Sequence, residues 1–369
     1  MRHYPKSCFL ANLVTLLQSS LMNLAVNVFL AAHDWPADGL APFPADWSAR
    51  RYARLRREAA PQRAILMQTA PDDDFYNFMR IAEFLRAVDA SAPEIYGFDA
   101  EHGLMLLEDF GDRNFGRMID AGAEAMPLLL RAVDALVEVQ RRFIAYEKKS
   151  TNKSGVIPAQ AGIQTFTRGS AEKNKTLDTG LRRYDKIRYD AQRFIDLLAP
   201  VLENFSYPDP GAARQSLHEV WSALLEPLES QPQSLLLRDF IADNLMDLPE
   251  RQGWQSVGFL DFELAGIGPI AYDPASLLEQ VRRDLPETAC EAVTGRFLTA
   301  WPELDPATFR DSLDIMAAHR HLRIFARLHK MQRPEFLQRT HAYLRHCLAR
   351  PALHPAQGWL ETYLPQYFT

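Results

Sequence analysis

Hydrophobic residues recur at three- and four-residue steps near the start of the chain, in the run CFLANLVTLLQSSLMNLAVNVFLAA. This spacing is typical of an amphipathic helix. The run follows two basic residues and resembles the opening of a signal peptide, but Asn12, Gln18, Ser19 and Asn23 interrupt it. We therefore expect residues 1–35 to form a packed helix rather than an exported or membrane-spanning segment. If Met22 is the biological start, residues 1–21 are dispensable.

Residues 36–111 show the pattern of a small lobe with antiparallel strands. The segments ARRYARLRRE and RAILMQTAP predict one hairpin, and PEIYGFDAEHGLMLLEDFGD predicts two more strands around a turn at 99–103. Between them, DDDFYNFMRIAEFLRAV has acidic residues first and apolar residues at helical spacing afterwards. It predicts a helix whose negative charges lie at the favourable end of the helix dipole.

Residues 112–369 are mostly helical in pattern, with one hairpin between LMDLP and SVGFLDFEL. The segment at 148–178 is rich in Lys, Ser, Thr, Asn and Gly and has no hydrophobic period. It predicts an exposed, disordered insertion in the larger lobe. The order of elements therefore indicates an α+β protein, with a small β lobe preceding a larger helical one.

Charge and cysteine content exclude several classes of function. The net charge of -6 gives no general attraction to nucleic acid or to an anionic membrane. The chain has only three cysteines, which lie far apart without CxxC spacing, so neither a disulfide framework nor a zinc motif is indicated. We expect a cytoplasmic monomer that acts on a small molecule.

The stretch LLLRDFIADNLMDL places a charged cluster directly after an apolar run. Asp239 and Asn244 are five residues apart, and Asp261 ends the second strand of the following hairpin. Because antiparallel pairing returns that end to the start of the first strand, the three side chains should converge. An amide oxygen and a carboxylate suit Mg²⁺, and another carboxylate can accept the proton of an attacking hydroxyl.

This constellation resembles the catalytic loop of kinases, in which an Asp is followed five residues later by a metal-binding Asn. LRDFIADNLMDL and VGFLDFELAGIGPIAYDPASLL are similar to the aminoglycoside phosphotransferase and choline kinase-like superfamily, in its bacterial branch of cell-wall amino-sugar kinases. The resemblance covers most of residues 24–348. It implies a protein-kinase-like two-lobe fold, ATP and Mg²⁺ as cofactors, Asp239 as catalytic base, and Asn244 and Asp261 as metal ligands.

The chain departs from the kinase pattern at two places. Leu237 stands where a His usually precedes Arg-Asp, a variant that also occurs in this branch. The third strand has Met67 near the position of the usual phosphate-binding Lys, and no Gly-rich loop precedes it. Without that Lys, Glu83 on the helix has no assigned ion-pair role.

Other residues are therefore expected to hold the nucleotide. Arginine presents a fork of donors to phosphate oxygens, so we expect Ser48, Arg50 and Arg51 to contact the phosphates. A solvated strand end is an equally good explanation for these arginines. The resemblance further implies that the backbone from Glu108 to Phe110 hydrogen-bonds the adenine.

Three further groups of polar residues are not assigned to the phosphoryl-transfer chemistry. The segment HRHLRIFARLHK has histidines on different faces of a helix, which favours a solvated basic face over a metal site. Asp273 is expected to cap a helix or anchor a loop, and Asp243 to lie in the loop or at the substrate rim. Tyr184 and Asp185 lie where the branch begins its substrate-facing helices.

The function predicted from this pattern is an ATP-dependent kinase for a sugar hydroxyl. In the resembled branch the acceptor is the anomeric hydroxyl of N-acetylmuramate or N-acetylglucosamine, during cell-wall recycling. One alternative is an aminoglycoside phosphotransferase, although no densely acidic pocket for a polycation is evident. Another is a nucleotide-binding module without turnover, which the missing Lys and His would favour.

Overall fold

The computed structural model describes residues 22–44, 50–152 and 187–368. These residues separate into two compact units. The first contains the described residues up to Glu83 together with Ala92–Asp112, and the second contains Phe84–Ser91 and the described residues from Arg113 onward.

The first unit is built on a five-stranded antiparallel sheet with the strand order β1-β2-β3-β5-β4. Its strands are β1 Ala41–Pro42, β2 Arg51–Arg56, β3 Arg63–Gln68, β4 Ile95–Asp99 and β5 Leu104–Glu108. Both hairpins predicted from the sequence, β2 with β3 and β4 with β5, are confirmed. In addition, β5 pairs along β3, which brings the two hairpins into one sheet.

One face of this sheet packs on helix α1, residues 22–32. Phe29 and Leu30 of the helix, Leu55 of β2 and Leu106 of β5 are buried together in this core. Because strand residues alternate between faces, Arg54 and Arg56 of β2 lie on the other side from Leu55. The part of the predicted amphipathic helix that the structure describes therefore packs as expected, while residues 1–21 lie outside the described residues.

Helix α2, Asp73–Ala87, follows β3 as predicted. Its start is fixed by Asp72, whose Oδ1 accepts the backbone amide of Phe75 at 3.2 Å. This contact satisfies one of the amides that an α-helix leaves without a partner in its first turn. The acidic run at this point therefore serves the helix end.

The second unit is mostly helical, as its pattern predicted. Its helices are α3 Phe115–Asp120, α4 Ala125–Asn152, α5 Ala191–Asp196, α6 Ala199–Asn204, α7 Pro210–Glu229, α8 Tyr272–Leu278, α9 Glu287–Ala300, α10 Pro306–Lys330, α11 Pro334–Leu348, α12 His354–Tyr363 and α13 Pro365–Phe368. None of the helices within the described residues has the length and apolar character needed to cross a membrane.

Two short antiparallel sheets interrupt the helices of the second unit. The predicted hairpin is confirmed: β7, Leu245–Asp247, pairs with β8, Val257–Phe259. The strand β6, Gln233–Leu236, pairs with β9, Gly266–Pro269, which the sequence pattern did not predict. At Gly266 a Cβ would lie 2.6 Å from the carbonyl oxygen of Ile187, so the close approach of the backbone explains the glycine.

The predicted start of the insertion at residue 148 was wrong. Helix α4 continues through residues 148–152, which were assigned to the insertion, because the Lys-rich end of the helical pattern is compatible with an exposed helix. Residues 153–186, including Tyr184 and Asp185, lie outside the described residues.

Candidate active site

The loop from Leu237 to Asn244 connects β6 to β7 and carries two of the predicted site residues. Nδ2 of Asn244 donates to the backbone oxygen of Asp239 at 2.9 Å. The same oxygen accepts the backbone amide of Ile241 at 2.9 Å. The Asn244 side chain therefore closes the loop on itself and fixes its own amide relative to Asp239.

Asp261 joins this loop from the end of β8. Leu245 is paired with Phe259, and the amide of Leu260 donates to the Asn244 oxygen at 2.9 Å. This register leaves Oδ2 of Asp261 3.4 Å from Nδ2 of Asn244. The hairpin thus brings the two side chains together as the antiparallel argument predicted, and Asp239 lies at the same loop.

Asp273 anchors the loop from the first turn of α8. Its Oδ2 accepts the amide of Leu237 at 2.7 Å and its Oδ1 accepts the amide of Arg238 at 2.9 Å. The carboxyl group is completely buried, and desolvation raises its pKa to about 7, against the opposing effect of these two amides. The predicted role of Asp273 as a loop anchor is confirmed, and it acts on the backbone at the position where Leu237 replaces the usual His.

Arg238 adopts an unusual backbone conformation just before Asp239. Its φ is +72°, in the left-handed region that residues with a Cβ rarely occupy. Its buried guanidinium lies over two aromatic rings, 4.3 Å from the centroid of Tyr189 and 4.9 Å from that of Tyr272. Cation–π contacts with both rings offset part of the cost of burying this charge. The aromatic pair was not recognised from the sequence, because its members come from separate segments.

A second arginine faces the Asp239 carboxylate. Nη2 of Arg320 on α10 lies 3.6 Å from Oδ1 of Asp239. The Arg320 side chain is 6% exposed, whereas that of Asp239 is 39% exposed. Within the part of the chain that the structure describes, Nε and Nη1 of Arg320 have no hydrogen-bond partner. A buried guanidinium with unused donors therefore lies beside the predicted catalytic carboxylate.

The interpretation of HRHLRIFARLHK as a solvated basic face was wrong. His319, Arg320 and His321 are buried, because α10 packs on its neighbours along much of its surface. Arg323 is partly buried and donates to the hydroxyl of Tyr272 at 3.4 Å. The sequence contained a signal for the burial of Arg320. Leu313 and Met316 precede it at helical spacing, and apolar residues at this spacing predict a buried helix face.

Asp243 has a structural partner. Its carboxylate receives both Nη atoms of Arg283, at 2.6 and 3.1 Å, and Arg283 also binds Asp120. A Cβ at Gly116 would lie 2.9 Å from Oδ1 of Asp243, so the glycine makes room for this cluster. Asp243 therefore fixes the loop against α3, in agreement with its predicted place in the loop rather than at the chemistry.

The predicted nucleotide residues belong to the first unit. Arg51 is exposed at the start of β2, with Arg50 directly before it, while Ser48 lies outside the described residues. The backbone amide of Glu108 donates to the Glu94 oxygen at 2.8 Å, so it already has a partner within the sheet. The expected contacts of these residues, and of Phe110, with a nucleotide stay predictions.

The neighbouring arginines of the first unit have partners there. Nε and Nη2 of Arg54 lie 2.8 and 3.0 Å from the two carboxylate oxygens of Asp109. Arg57 donates to the Asp34 oxygen at 3.1 Å and lies 4.1 Å above the Trp35 ring. Arg54 and Arg57 thus help to hold this unit together.

The donor set at Asn244 and Asp261 fits a hard divalent cation. A carboxylate from one strand end and an amide from the facing loop are adjacent, and both residue types supply the oxygen ligands that Mg²⁺ prefers. Asp239 lies on the same loop with a partly exposed carboxylate, where it can meet a hydroxyl. The arrangement therefore has the donor types of a cation site beside a carboxylate that is chemically able to accept a proton.

Comparison with known proteins agrees with this chemistry. A model of the phosphotransferase enzyme family matches residues 39–310. A curated protein of Caulobacter vibrioides named N-acetylmuramate/N-acetylglucosamine kinase is 30% identical over 337 residues, which make up 89% of this chain and 84% of that protein.

Solved structures share the fold at low sequence identity. An ethanolamine kinase of Plasmodium vivax matches with a TM-score of 0.54 and 13% identity, covering 86% of this chain and 84% of that one. The GDP complex of wild-type aminoglycoside 2'-phosphotransferase-IIIa matches with a TM-score of 0.52 and 14% identity, covering 89% and 98% of the two chains. These likenesses confirm the predicted kinase-like fold class.

Proposed function

Because this chain belongs to the phosphotransferase enzyme family, we propose that it transfers the terminal phosphoryl group of ATP to the anomeric hydroxyl of N-acetylmuramate or N-acetylglucosamine. The observation that carries the proposal is the 3.4 Å contact between Asn244 and Asp261 at the loop that bears Asp239. The name of the Caulobacter relative supports the choice of acceptor. In this proposal the reaction serves the recycling of cell-wall amino sugars.

Each residue of the loop has a separate role in this reaction. Asp239 accepts the proton of the attacking sugar hydroxyl and orients its oxygen toward phosphorus. Asn244 and Asp261 hold Mg²⁺, which neutralises charge on the phosphates when bound. Asp273 and Arg238 keep the loop in place, so that the acceptor meets a preorganised carboxylate.

Arg320 supports an acceptor that carries a negative charge. Its guanidinium is buried beside Asp239, and two of its nitrogens have no hydrogen-bond partner among the described residues. Burying a charge without hydrogen bonds is costly, so an incoming carboxylate would satisfy a group that the chain leaves unsatisfied. N-acetylmuramate carries such a carboxylate on its lactyl ether, whereas N-acetylglucosamine is neutral.

The nucleotide is held by the first unit in this proposal. Ser48, Arg50 and Arg51 contact its phosphates, and the backbone from Glu108 to Phe110 contacts the base. The amide of Glu108 donates to the Glu94 oxygen, so this amide is not among the proposed contacts with the base.

A polycationic aminoglycoside is a poorer acceptor for the same site. The aminoglycoside enzyme named above shares only the fold with this chain, at 14% identity. A buried arginine facing Asp239 would repel a cationic acceptor at the point of phosphoryl transfer.

The proposal is tested by measuring phosphate transfer to a panel of acceptors. The purified full chain is incubated with Mg²⁺ and labelled ATP or GTP, together with N-acetylmuramate, N-acetylglucosamine, glucose, choline or kanamycin. We expect transfer to the two amino sugars and a product that loses its reducing end. Transfer to kanamycin alone would instead establish the antibiotic enzyme, and nucleotide binding without any transfer would establish the binding module.

A further inference from the structure

Three possible metal ligands, two of them buried and one partly exposed, lie together at the junction of three helices in the second unit. Glu279 directly follows α8, His321 lies in the middle of α10, and Cys347 lies near the end of α11. One carboxylate oxygen, one imidazole nitrogen and the Sγ atom all lie within 4.8 Å of one another. None of the three takes part in the proposed phosphoryl transfer.

The histidine lacks the hydrogen bonds that a buried imidazole normally makes with its ring nitrogens, within the described residues. His321 is completely buried, and neither of its ring nitrogens has a hydrogen-bond partner within the described residues. Nε2 lies 3.6 Å from Oε2 of Glu279, which is too far for a hydrogen bond. The ring is held in this orientation by Tyr343, whose ring stacks on it with the centroids 5.5 Å apart.

The separation of nitrogen and oxygen suits a shared metal ion. Tetrahedral zinc with bonds of about 2.0–2.2 Å to nitrogen and oxygen places those two ligands about 3.4 Å apart. The observed 3.6 Å is close to this edge length, and Cys347 supplies a third, softer donor on the adjoining helix. A thiolate and an imidazole favour Zn²⁺ over Mg²⁺ or Ca²⁺, which prefer sets made of oxygen alone.

We propose that Glu279, His321 and Cys347 form a Zn²⁺ site that ties α10 and α11 to the end of α8, with a water as fourth ligand. On binding, the Cys347 sulfur loses its proton to solvent as the sulfur–zinc bond forms. The imidazole binds in its neutral form and Glu279 as a carboxylate, so the two negative ligands balance the charge of the ion. Glu279 is 28% exposed on its side chain and provides the route of entry.

The site has a consequence for the loop at Asp239. His321 directly follows Arg320, whose guanidinium faces Asp239 at 3.6 Å. A metal bound to His321 fixes this turn of α10, and therefore also the position of Arg320. A metal that binds only the folded chain also raises the free energy of unfolding. The increase grows with the logarithm of the ratio of free metal concentration to the dissociation constant.

The test uses the full chain, freed of any affinity tag and stripped with a chelator. Zn²⁺ is added back, and bound metal per chain is measured after gel filtration, together with the thermal unfolding midpoint. We expect one bound ion and a raised midpoint. In a parallel sample, Co²⁺ should give the near-ultraviolet charge-transfer band of a thiolate ligand.

Substitutions assign the ligands. Cys347→Ser should abolish the Co²⁺ charge-transfer band, while Cys290→Ser, the matched control on α9, should keep it. Glu279→Gln, at a partly exposed residue that does not disturb the core, should weaken Zn²⁺ binding by at least about tenfold. Failure to retain Zn²⁺, a cobalt spectrum without the thiolate band, or a band that survives Cys347→Ser would overturn the proposal. Kinase assays do not enter these readouts, so the site and the proposed function fail independently.

Discussion

The carboxylate of Asp273 accepts the backbone amide of Leu237 at 2.7 Å, two residues before Asp239. This bond, with its companion to the Arg238 amide, ties the candidate catalytic loop to the first turn of α8. The loop therefore owes its position to a buried side chain that touches none of the reacting atoms.

Replacing Asp273 by Asn should loosen this anchor. The amide group cannot accept from both backbone donors, so one buried amide loses its partner, at a cost of about 1–3 kcal/mol of folding free energy. We expect a lower midpoint in urea unfolding and a reduced kcat with nearly unchanged nucleotide affinity. Asp311→Asn, at an exposed position of α10, serves as the control. An Asp273 variant with full stability and full kcat would contradict the anchoring role.

Replacing Asp239 by Asn should remove the proton acceptor while leaving the loop intact. A positioned general base contributes typically about 10²–10⁴-fold to the rate, and we expect a loss of this size in kcat for amino-sugar phosphorylation. Nucleotide affinity, measured by fluorescence titration, should stay within about threefold of the parent value. Asp196→Asn, at an exposed helix residue, should behave as the parent chain. Retention of most of the turnover would exclude Asp239 as the base.

Replacing Asp261 by Asn should change the response to magnesium. Asn tolerates the left-handed backbone at this position, where φ is +58°, so the fold should persist. The variant loses one negative charge at the cation site, and the Mg²⁺ concentration for half-maximal rate should rise by about tenfold or more. Initial rates across a magnesium titration provide the measurement. The same half-maximal concentration in both proteins would show that Asp261 is not a ligand.

Replacing Arg320 by Met should alter the choice between the two amino sugars. A hydrogen bond to a charged group contributes about 1.5–3 kcal/mol, which corresponds to roughly a 10- to 150-fold loss in kcat/KM for N-acetylmuramate. Neutral N-acetylglucosamine should lose far less.

The ratio of the two kcat/KM values separates the possible roles of Arg320. If the guanidinium only positions Asp239, both acceptors lose the same factor and the ratio stays constant. Arg327→Met, at an exposed position of the same helix, should leave both values unchanged.

His319 should make the fold sensitive to mild acid. Its Nε2 lies 2.8 Å from the Phe194 oxygen, and burial lowers the pKa of the imidazole to about 3. Between about pH 6.5 and pH 3, the unfolded chain binds a proton that the folded chain does not, so stability falls as the pH falls. From pH 7 to pH 5 this single group should remove about 2 kcal/mol.

Urea unfolding at the two pH values measures this effect. His319→Gln keeps a donor for the Phe194 oxygen but cannot be protonated. Between pH 7 and pH 5 the variant should therefore lose about 2 kcal/mol less unfolding free energy than the parent chain. His346→Gln, which replaces an exposed histidine of α11, should retain the full dependence. Equal pH dependence in the parent and in the His319 variant would refute the assignment.

Local pairing explains what the sequence could predict. The hairpin of β7 and β8 is short, so alternation and turn residues sufficed to bring Asp261 toward Asn244. This inference needed only contacts between neighbouring segments. The position of Asp273 at the start of α8 indicated a structural role, but its partners, the amides of Leu237 and Arg238, come from a separate segment.

Contacts between distant segments escaped the sequence. The partner of β6 is β9, which contains two glycines and shows no alternation. Arg320 looked solvated because basic side chains usually are, and only the packing of α10 reveals its place beside Asp239. Residues that act through tertiary packing leave little periodic signal in one sequence.

The positive φ angles of Arg238 and Asp261 have one further consequence. Left-handed backbone costs a residue with a Cβ roughly 1–2 kcal/mol, and here two such residues bracket the segment between Asp239 and Leu260. That conformational cost is met once, when the chain folds, by the buried partners of the loop. A loop held in this way needs less reordering when an acceptor binds, which leaves more of the binding energy for stabilising the transition state.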